Sequence, residues 1–240
     1  MIDVHCHFDM AKNPENYISE NEKRQVVTIG MTNLPSHFQM GIKHVRGYKF
    51  IRLALGLHPL MAREHAKEYE KFRQSVNETS YIGEIGLDFS REGYATKAIQ
   101  IESFEFVLDC INGKNKILSL HSRRAEKETL EMLVAKGVEN AIFHWYSGNV
   151  SVLRNIVNSG FFFSINSAMI KSANGKKIIA EIPKEFVLTE TDYPYVNDSN
   201  ITELISYLST IWKTPELDVE KTIDKNFKRL TMRLKQNPIK

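Results

Sequence analysis

The sequence has few of the features that would place it outside the ordinary class of globular proteins. Among its 240 residues only Cys6 and Cys110 are cysteines, which is too few for a disulfide framework. No uninterrupted apolar run reaches the roughly 18 residues of a membrane span. Met1 also leads directly into a strand-like segment, where a secretory signal would have a basic and then an apolar region. We therefore expect a cytoplasmic protein without membrane contact.

A strong charge imbalance and a linker are missing as well. The net charge is +3, from 32 basic and 29 acidic residues, and this is too mild to indicate nucleic-acid binding by itself. No stretch rich in proline, glycine and serine divides the chain. The apolar share of 42% and the charged share of 25% are those of a folded domain. The sequence predicts one domain spanning residues 1–240.

Short apolar segments alternate with longer stretches of helical periodicity. This alternation is typical of repeated strand-helix units around a parallel sheet. Eight such units in one chain favour a single (β/α)8 barrel of the TIM type over an open sheet. The predicted strands are residues 2–7, 26–31, 51–58, 81–87, 117–121, 141–146, 161–166 and 186–192.

Three helices can be placed by their capping residues and periodicity. One is predicted at 124–136, with Ser122 as its cap, and another at 201–212, after the capping sequence 198–200. A last helix at roughly 217–234 would pack on the outside of the barrel.

Histidines and acidic residues fall at the carboxyl ends of the predicted strands. Glu84 lies within the fourth strand and Asp192 closes the eighth, and His5 and His7 share a face of the first strand. Because the carboxyl ends of barrel strands meet at one face, these side chains should converge into one site. The five histidines concerned are His5, His7, His58, His121 and His144.

Such a mixture of imidazole and carboxylate ligands suits zinc or manganese, with magnesium as a further candidate, and a bridging carboxylate permits two ions. We assign His5, His7, Glu84 and Asp192 to one ion, and His121, His144 and the shared Glu84 to the other. A water molecule held between the ions would be the nucleophile, and Asp192 would orient it or take its proton.

Isolated histidines have a simpler interpretation. Polar groups inside proteins are mostly paired locally, so a single histidine is more often structural than functional. We assign His37, His44 and His65, on predicted helices, to that class. The convergent set is different, because adjacent buried imidazoles repel one another once protonated unless a metal is bound.

A series of short motifs runs along the chain. They are DVHCHFD at 3–9, GLHP at 56–59, GEIGLD at 83–88, HSR at 121–123, HWYSG at 144–148, ETDYP at 190–194 and, more weakly, NFKRL at 226–230. These motifs resemble those of the TatD family of metal-dependent deoxyribonucleases, within the amidohydrolase superfamily. The resemblance extends over nearly the whole chain, in the family's order.

The resemblance implies a (β/α)8 barrel with two divalent cations that cleaves DNA phosphodiester bonds. A single strand, trimmed from an end, is the favoured substrate. The resemblance also implies that His58 lies beside the substrate phosphate, and that Arg123 helps to hold it through charge-assisted contacts. With Glu84 and Asp192, His58 completes the predicted catalytic residues.

The chain also departs from the family pattern. Leu60 replaces a second histidine that the family often has, and Trp145-Tyr146 replaces a Cys-Phe pair. Trp145, Tyr146 and Phe89 could stack on an unpaired base, or they could pack the barrel mouth. The roles of Asp3, Asp88 and Glu190 stay open, although Glu190 lies one layer deeper than Asp192 and favours a supporting role.

Two other functions remain compatible with the sequence, since barrels host many chemistries. One keeps the metals but hydrolyses an ester or amide, such as the aminoacyl ester of a tRNA. The other is a DNA-processing or scaffolding subunit with protein partners, as in the multi-gene phage-defence assemblies that contain divergent members of this family.

Overall fold

The computed structural model describes residues 1–196 and 198–235, so residues 197 and 236–240 of the predicted domain lie outside the described part. Strands alternate with helices along this part of the chain. The strands are β1 (Ile2–Cys6), β2 (Val27–Gly30), β3 (Ile51–Leu53), β4 (Tyr81–Gly86), β5 (Ile117–His121), β6 (Ala141–His144), β7 (Phe162–Ile165) and β8 (Val187–Thr189). The helices are α1 (Pro14–Lys23), α2 (Pro35–Val45), α3 (His65–Ser75), α4 (Lys97–Ile111), α5 (Glu126–Ala135), α6 (Val150–Asn158), α7 (Ser167–Lys171), α8 (Ala173–Glu181), α9 (Ile201–Trp212) and α10 (Glu216–Met232).

The strands form two parallel sheets in sequence order. One contains β1, β2 and β3, and the other runs from β4 to β8. A parallel bridge between Leu55 and Ile82 connects the two sheets, with Leu55 donating to the Tyr81 carbonyl at 3.0 Å. At the other end of the series, the Thr189 hydroxyl of β8 donates to the Ile2 carbonyl of β1. All eight strands are thus linked in sequence order, and β8 lies beside β1.

The strands are buried on both faces because helices cover the outside. In β7 all four residues are buried, and Phe162 and Phe163 are fully inaccessible. Such continuous apolar runs are typical of parallel sheets covered by helices. The predicted α/β architecture with a parallel sheet is therefore confirmed.

Most predicted strands are longer than the observed ones. The third was predicted at 51–58 but ends at Leu53, and the eighth was predicted at 186–192 but ends at Thr189. As a result His7, His58 and Asp192 follow their strands. The side chains of these segments stay buried past the last residue of the observed strand, so the sequence pattern continues beyond it.

The predicted helices correspond well to the observed ones, with one correction. Helix α9 begins after Asn200, whose side chain accepts from the Thr202 amide at 2.9 Å as predicted. Ser122, in contrast, is not the cap of α5. That helix begins at Glu126 with Ala125 at its cap position, and Ser122 instead uses its carbonyl to accept from the Ala125 amide.

The predicted last helix corresponds to α10, which packs against β8. Asn226 donates to the Val187 carbonyl at 2.9 Å and to the Lys184 carbonyl at 2.7 Å. Val219 and Leu230 are fully buried on the same helix. None of the helices in the described part of the chain has both the length and the apolar character needed to cross a bilayer.

Candidate metal site and substrate pocket

Glu84, on β4, is the centre of the site. Its side chain is 3% exposed, and imidazoles from four other strands or strand ends surround it. The nearest approaches to its two oxygens are 2.6 Å from His121 Nδ1, 3.0 Å from His144 Nε2, 3.2 Å from His7 Nε2, 3.2 Å from His58 Nε2 and 3.6 Å from His5 Nε2. The structure therefore brings the five predicted histidines together around the predicted glutamate.

Asp192 completes this cluster from the end of β8. Its Oδ1 lies 3.7 Å from His5 Nε2 and 3.9 Å from His7 Nε2. Its backbone amide donates to the His5 carbonyl at 2.9 Å, which fixes the turn after the strand. The φ angle of Asp192 is 50°, a left-handed conformation that costs about 1 kcal/mol for a residue with a Cβ atom. Strain of this kind is typical of functional sites.

The potential ligand atoms form three overlapping groups within the described residues. Each group has its atoms within 4.8 Å of one another. The groups are His5, His7 and Glu84; His58, Glu84 and His121; and His5, His144 and Asp192. Glu84 belongs to two of them, as a bridging carboxylate would. His144 is grouped with His5, whereas the sequence pattern had paired it with His121.

A further carboxylate holds His121 from its other side. Asp88 Oδ2 lies 2.7 Å from His121 Nε2, and Asp88 Oδ1 accepts from the Ser90 amide at 2.8 Å. Asp88 is fully buried. Its pKa is lowered to about 2, because the bonds from His121 and Ser90 outweigh the cost of burying the charge. The open question about Asp88 thus has a structural answer, which is that it orients His121.

Glu190 supports His144 in a similar way. It is fully buried and accepts from Ser164 and, at 2.9 Å, from Asn166. Its Oε1 lies 3.5 Å from His144 Nδ1, an ion-pair distance without the alignment of a hydrogen bond. This agrees with the deeper, supporting position that the sequence suggested.

One supporting residue was missed by sequence reasoning. Ser119 lies 2.8 Å from His5 Nδ1 and is 114 residues away from it in sequence.

His65 has the structural role that the sequence predicted for it. It is almost fully buried at the start of α3, and its Nε2 contacts the His58 carbonyl at 3.0 Å. The Gly56-Leu57-His58-Pro59 motif carried no signal for this particular contact, because the partner lies beyond it on the next helix.

The predicted structural histidines of α2 lie outside the cluster. His44 is exposed and His37 is half-buried. Neither belongs to any of the three ligand groups.

Burial and charge set the protonation of the cluster. Burial, reinforced by the nearby His144, lowers the pKa of His5 to about 4, so its imidazole is neutral at pH 7. Burial would raise the pKa of Glu84, but His58 and His144 hold it well below its usual range. Asp192 behaves oppositely, because burial and the charges of Glu190 and Glu84 raise its pKa to about 7.

These properties fit a divalent cation. A histidine ligand must be neutral and a carboxylate ligand ionised. His5 and Glu84 take those forms without a cation, whereas His144, whose pKa Glu84 and Glu190 raise against the effect of burial, and Asp192 would take them when a cation binds. His5 Nε2 and His7 Nε2 lie only 3.3 Å apart in a buried site, where two protonated rings would repel one another. His7 Nδ1 has no hydrogen-bond partner among the described residues. The donor set of nitrogen and carboxylate oxygen is one that zinc and manganese accept.

A pocket of about 500 Å³ opens from the cluster. Its lining residues include Arg123, Trp145 and Leu60, all singled out from the sequence. Trp145 is 38% exposed, with a φ angle of 39° that turns the chain at the end of β6. The complete lining is His58, Leu60, Glu84, His121, Ser122, Arg123, His144, Trp145, Ser147, Asp192 and Tyr195.

The aromatic side chains near the strand ends differ in their exposure to solvent. Tyr146 is 1% exposed and donates to the Asn149 carbonyl, and Phe89 is 8% exposed beneath Lys97. Of the two alternatives that the sequence left open, stacking on a base and packing of the barrel mouth, the burial of these two rings supports packing. Sequence reasoning missed Tyr195, which is 53% exposed and lines the pocket.

Comparison with known proteins identifies the family of this chain. The family model described as TatD related DNase matches residues 2–232. The chain belongs to the TatD family. It is therefore an enzyme, a metal-dependent hydrolase.

Relatives of this TatD chain span nearly all of it. An uncharacterized metal-dependent hydrolase of Methanocaldococcus jannaschii is 28% identical, over 95% of this chain and 94% of its own. The human deoxyribonuclease TATDN3 is 25% identical, over 81% of this chain and 78% of its own. Among solved structures, a TatD homologue of Escherichia coli superposes with a TM-score of 0.84 at 22% identity, covering 99% of this chain and 98% of its own. The last comparison establishes a shared fold.

Proposed function

We propose that this TatD protein is a nuclease that hydrolyses phosphodiester bonds of DNA, acting on single strands from an end. One observation carries the proposal. Five imidazoles surround Glu84 at the floor of a pocket whose wall includes Arg123 and Trp145. Such a pocket offers a cationic group for phosphate and an exposed aromatic ring for an unpaired base. The human relative named a deoxyribonuclease supports the same substrate class.

The proposed scaffold is one (β/α)8 barrel formed by residues 1–240. Its support is the parallel order of the strands, the bridge from Leu55 to Ile82, and the bond from Thr189 to Ile2. A closed barrel also explains why residues from six strands or strand ends reach one site.

We propose that the cluster holds two divalent ions, with Glu84 shared between them. His5, His7 and Asp192 would complete one set of ligands, and His121 and His144 the other. Bound there, the ions would lower the pKa of water and neutralise charge on the attacked phosphate.

The side chains of this chain have separate tasks in the proposed reaction. Asp192, whose Oδ1 lies 3.7 Å from His5 Nε2 and which also lines the pocket, would orient the attacking water or take its proton. His58 and Arg123, on the loops that follow β3 and β5, hold the phosphate. Trp145 stacks on the adjoining base.

The test is incubation of the purified protein with end-labelled single-stranded DNA and manganese, magnesium or zinc. We expect shortened products from the wild type, and none from the Glu84→Ala variant under the same conditions. An aminoacyl ester and a carboxylic ester serve as parallel substrates. Ester hydrolysis without DNA cleavage under every metal would contradict the nuclease proposal and support the ester hydrolase. DNA binding without hydrolysis of any substrate would support a scaffolding role.

A further inference from the structure

A second pocket adjoins the substrate pocket and is rich in positive charge. It has a volume of about 440 Å³ and is lined by Ser90, Arg91, Glu92, Arg123 and Arg124. Arg123 also lines the substrate pocket, so the two pockets meet at its side chain. We refer to the second one as the arginine pocket.

The three guanidinium groups of the arginine pocket are available to a ligand. Arg91, Arg123 and Arg124 are exposed, and none of them takes part in the ion pairs found among residues 1–196 and 198–235. One carboxylate, that of Glu92, shares the lining with them. The nearby Glu126 carboxylate accepts from the backbone amide of Arg124 at 3.3 Å. The pocket therefore has an excess of cationic groups over anionic ones.

The backbone around the arginine pocket is tied to the metal site. Phe89 donates to the Arg123 carbonyl at 2.9 Å, which joins the loops after β4 and β5. Ser90 donates to Asp88, the same carboxylate that contacts His121. A ligand in the arginine pocket is thus held at a fixed position relative to the proposed ions.

Two local features are typical of a ligand site. The φ angle of Arg124 is 59°, a left-handed conformation that is strained for a residue with a Cβ atom, and strained residues concentrate at ligand-binding positions. Ser90, at the floor of the pocket, is 5% exposed, and its hydroxyl has no hydrogen-bond partner among the described residues. Buried hydroxyls are normally paired.

We propose that the arginine pocket binds a second phosphate of a single polynucleotide strand, next to the phosphodiester held at the metal site. This inference rests on the proposed nuclease function and specifies its substrate. Guanidinium groups match phosphate oxygens with paired, charge-assisted hydrogen bonds. A small phosphodiester has no second phosphate to place there. The enzyme should therefore favour strands of several nucleotides over minimal diesters.

The experiment compares Arg91→Ala, Arg124→Ala and the double variant with the wild type on two substrates. One is a labelled strand of about ten nucleotides, within the range that single-strand-binding sites cover, and the other is bis(p-nitrophenyl) phosphate. For the strand, the double variant should raise KM at least about tenfold. The slope of log KM against log salt should fall by about 0.7 for each arginine removed. Hydrolysis of the small diester should stay unchanged.

Matched controls separate a specific contact from a general loss of charge. Arg24→Ala removes the same charge from the loop before β2, at the opposite end of the strands, and should leave both substrates unaffected. Arg124→Lys keeps the charge and should retain most of the salt dependence. Thermal unfolding checks that the substituted proteins stay folded.

Binding of the labelled strand, followed by fluorescence anisotropy, distinguishes the two proposals. If the wild type cleaves the strand but the variants keep its KM and salt dependence, the second phosphate site is overturned and the nuclease stands. If the wild type binds the strand without cleaving it, and the variants bind at least about tenfold more weakly, the nuclease proposal fails and the phosphate site stands. Absence of both binding and cleavage in the wild type overturns both.

Discussion

Glu84 contacts more of the site than any other side chain described above. Because it belongs to two of the three ligand groups and is shared by both ions in the proposed site, its removal should affect both of those ions. For Glu84→Ala we expect loss of bound metal and a fall in kcat of at least about a hundredfold. Elemental analysis and turnover measure the two effects. His44→Ala, at an exposed position on α2, is the control and should change neither. A Glu84→Ala protein that retains activity would contradict the shared carboxylate.

Asp88 affects the site through its contact with His121. For Asp88→Asn we expect metal affinity or kcat/KM to fall about 10- to 100-fold, because the neutral amide no longer fixes the charge and orientation of the ring. The amide oxygen can still accept from Ser90, so the loop should remain in place. Metal titration and steady-state kinetics provide the measurement.

Asp109→Asn removes an exposed carboxylate that pairs with Lys136, and it is the matched control. We expect wild-type kinetics from it. Values within twofold of the wild type for Asp88→Asn would mean that His121 is oriented without Asp88.

At the scale of elements, a carboxylate from one helix caps another. Glu68 of α3 accepts from the Ser36 amide at the start of α2 at 2.8 Å, and it also pairs with Lys71. The residue at the cap position of α2, Leu34, has no side-chain oxygen to offer. Burial opposes the charge of Glu68, but the bonds from Lys71 and Ser36 outweigh it and lower its pKa below the usual 4.5.

This cap leads to a prediction about stability and pH. A carboxylate with a lowered pKa in the folded state stabilises the protein above about pH 4.5, and its contribution is lost as the pH falls through the lowered value. At pH 7 we expect Glu68→Gln to reduce the free energy of unfolding by about 1 kcal/mol. The difference from the wild type should shrink towards pH 3. Urea unfolding at both pH values is the measurement.

Glu70→Gln, two residues further along α3 and exposed, is the control for the cap and should stay within about 0.5 kcal/mol of the wild type. If Glu68→Gln lowers the free energy of unfolding by the same amount at pH 7 and at pH 3, the charge of Glu68 does not stabilise α2.

At the scale of the whole molecule, the contact between β8 and β1 brings the two ends of the strand series together. Thr189 is fully buried, and its hydroxyl donates to the Ile2 carbonyl. Thr189→Val preserves the shape and removes the donor. We expect a loss of about 1 kcal/mol in unfolding free energy, which corresponds to about 2–4 °C in Tm for a chain of this size.

Thr210→Val is the matched control, since its hydroxyl bonds within α9 at an exposed position. It should change the unfolding free energy by less than about 0.5 kcal/mol. If Thr189→Val is equally neutral, the hydrogen bond from Thr189 to Ile2 contributes nothing measurable to the stability of the protein.

Much of this molecule was predictable from the sequence, because its signals are local. Alternating apolar and helical segments indicated the parallel α/β architecture. Asn200 marked the start of α9, because its side chain accepts a hydrogen bond from an amide only two residues further along the chain. His5, His121 and His144 could be assigned to one site because parallel strands carry their carboxyl ends to a common face. The strand bounds were less accurate, since burial continues beyond the ladder hydrogen bonds.

What the sequence by itself determined is the class of fold and the chemical identity of the cluster around Glu84. The tertiary structure alone decided which groups support that cluster and which surfaces adjoin it. Asp88 contacts His121 across 33 residues, and Ser119 contacts His5 across 114. The arginine pocket likewise joins the loops after β4 and β5. Periodicity and spacing report on neighbours along one element, whereas these contacts depend on how separate strands are placed side by side.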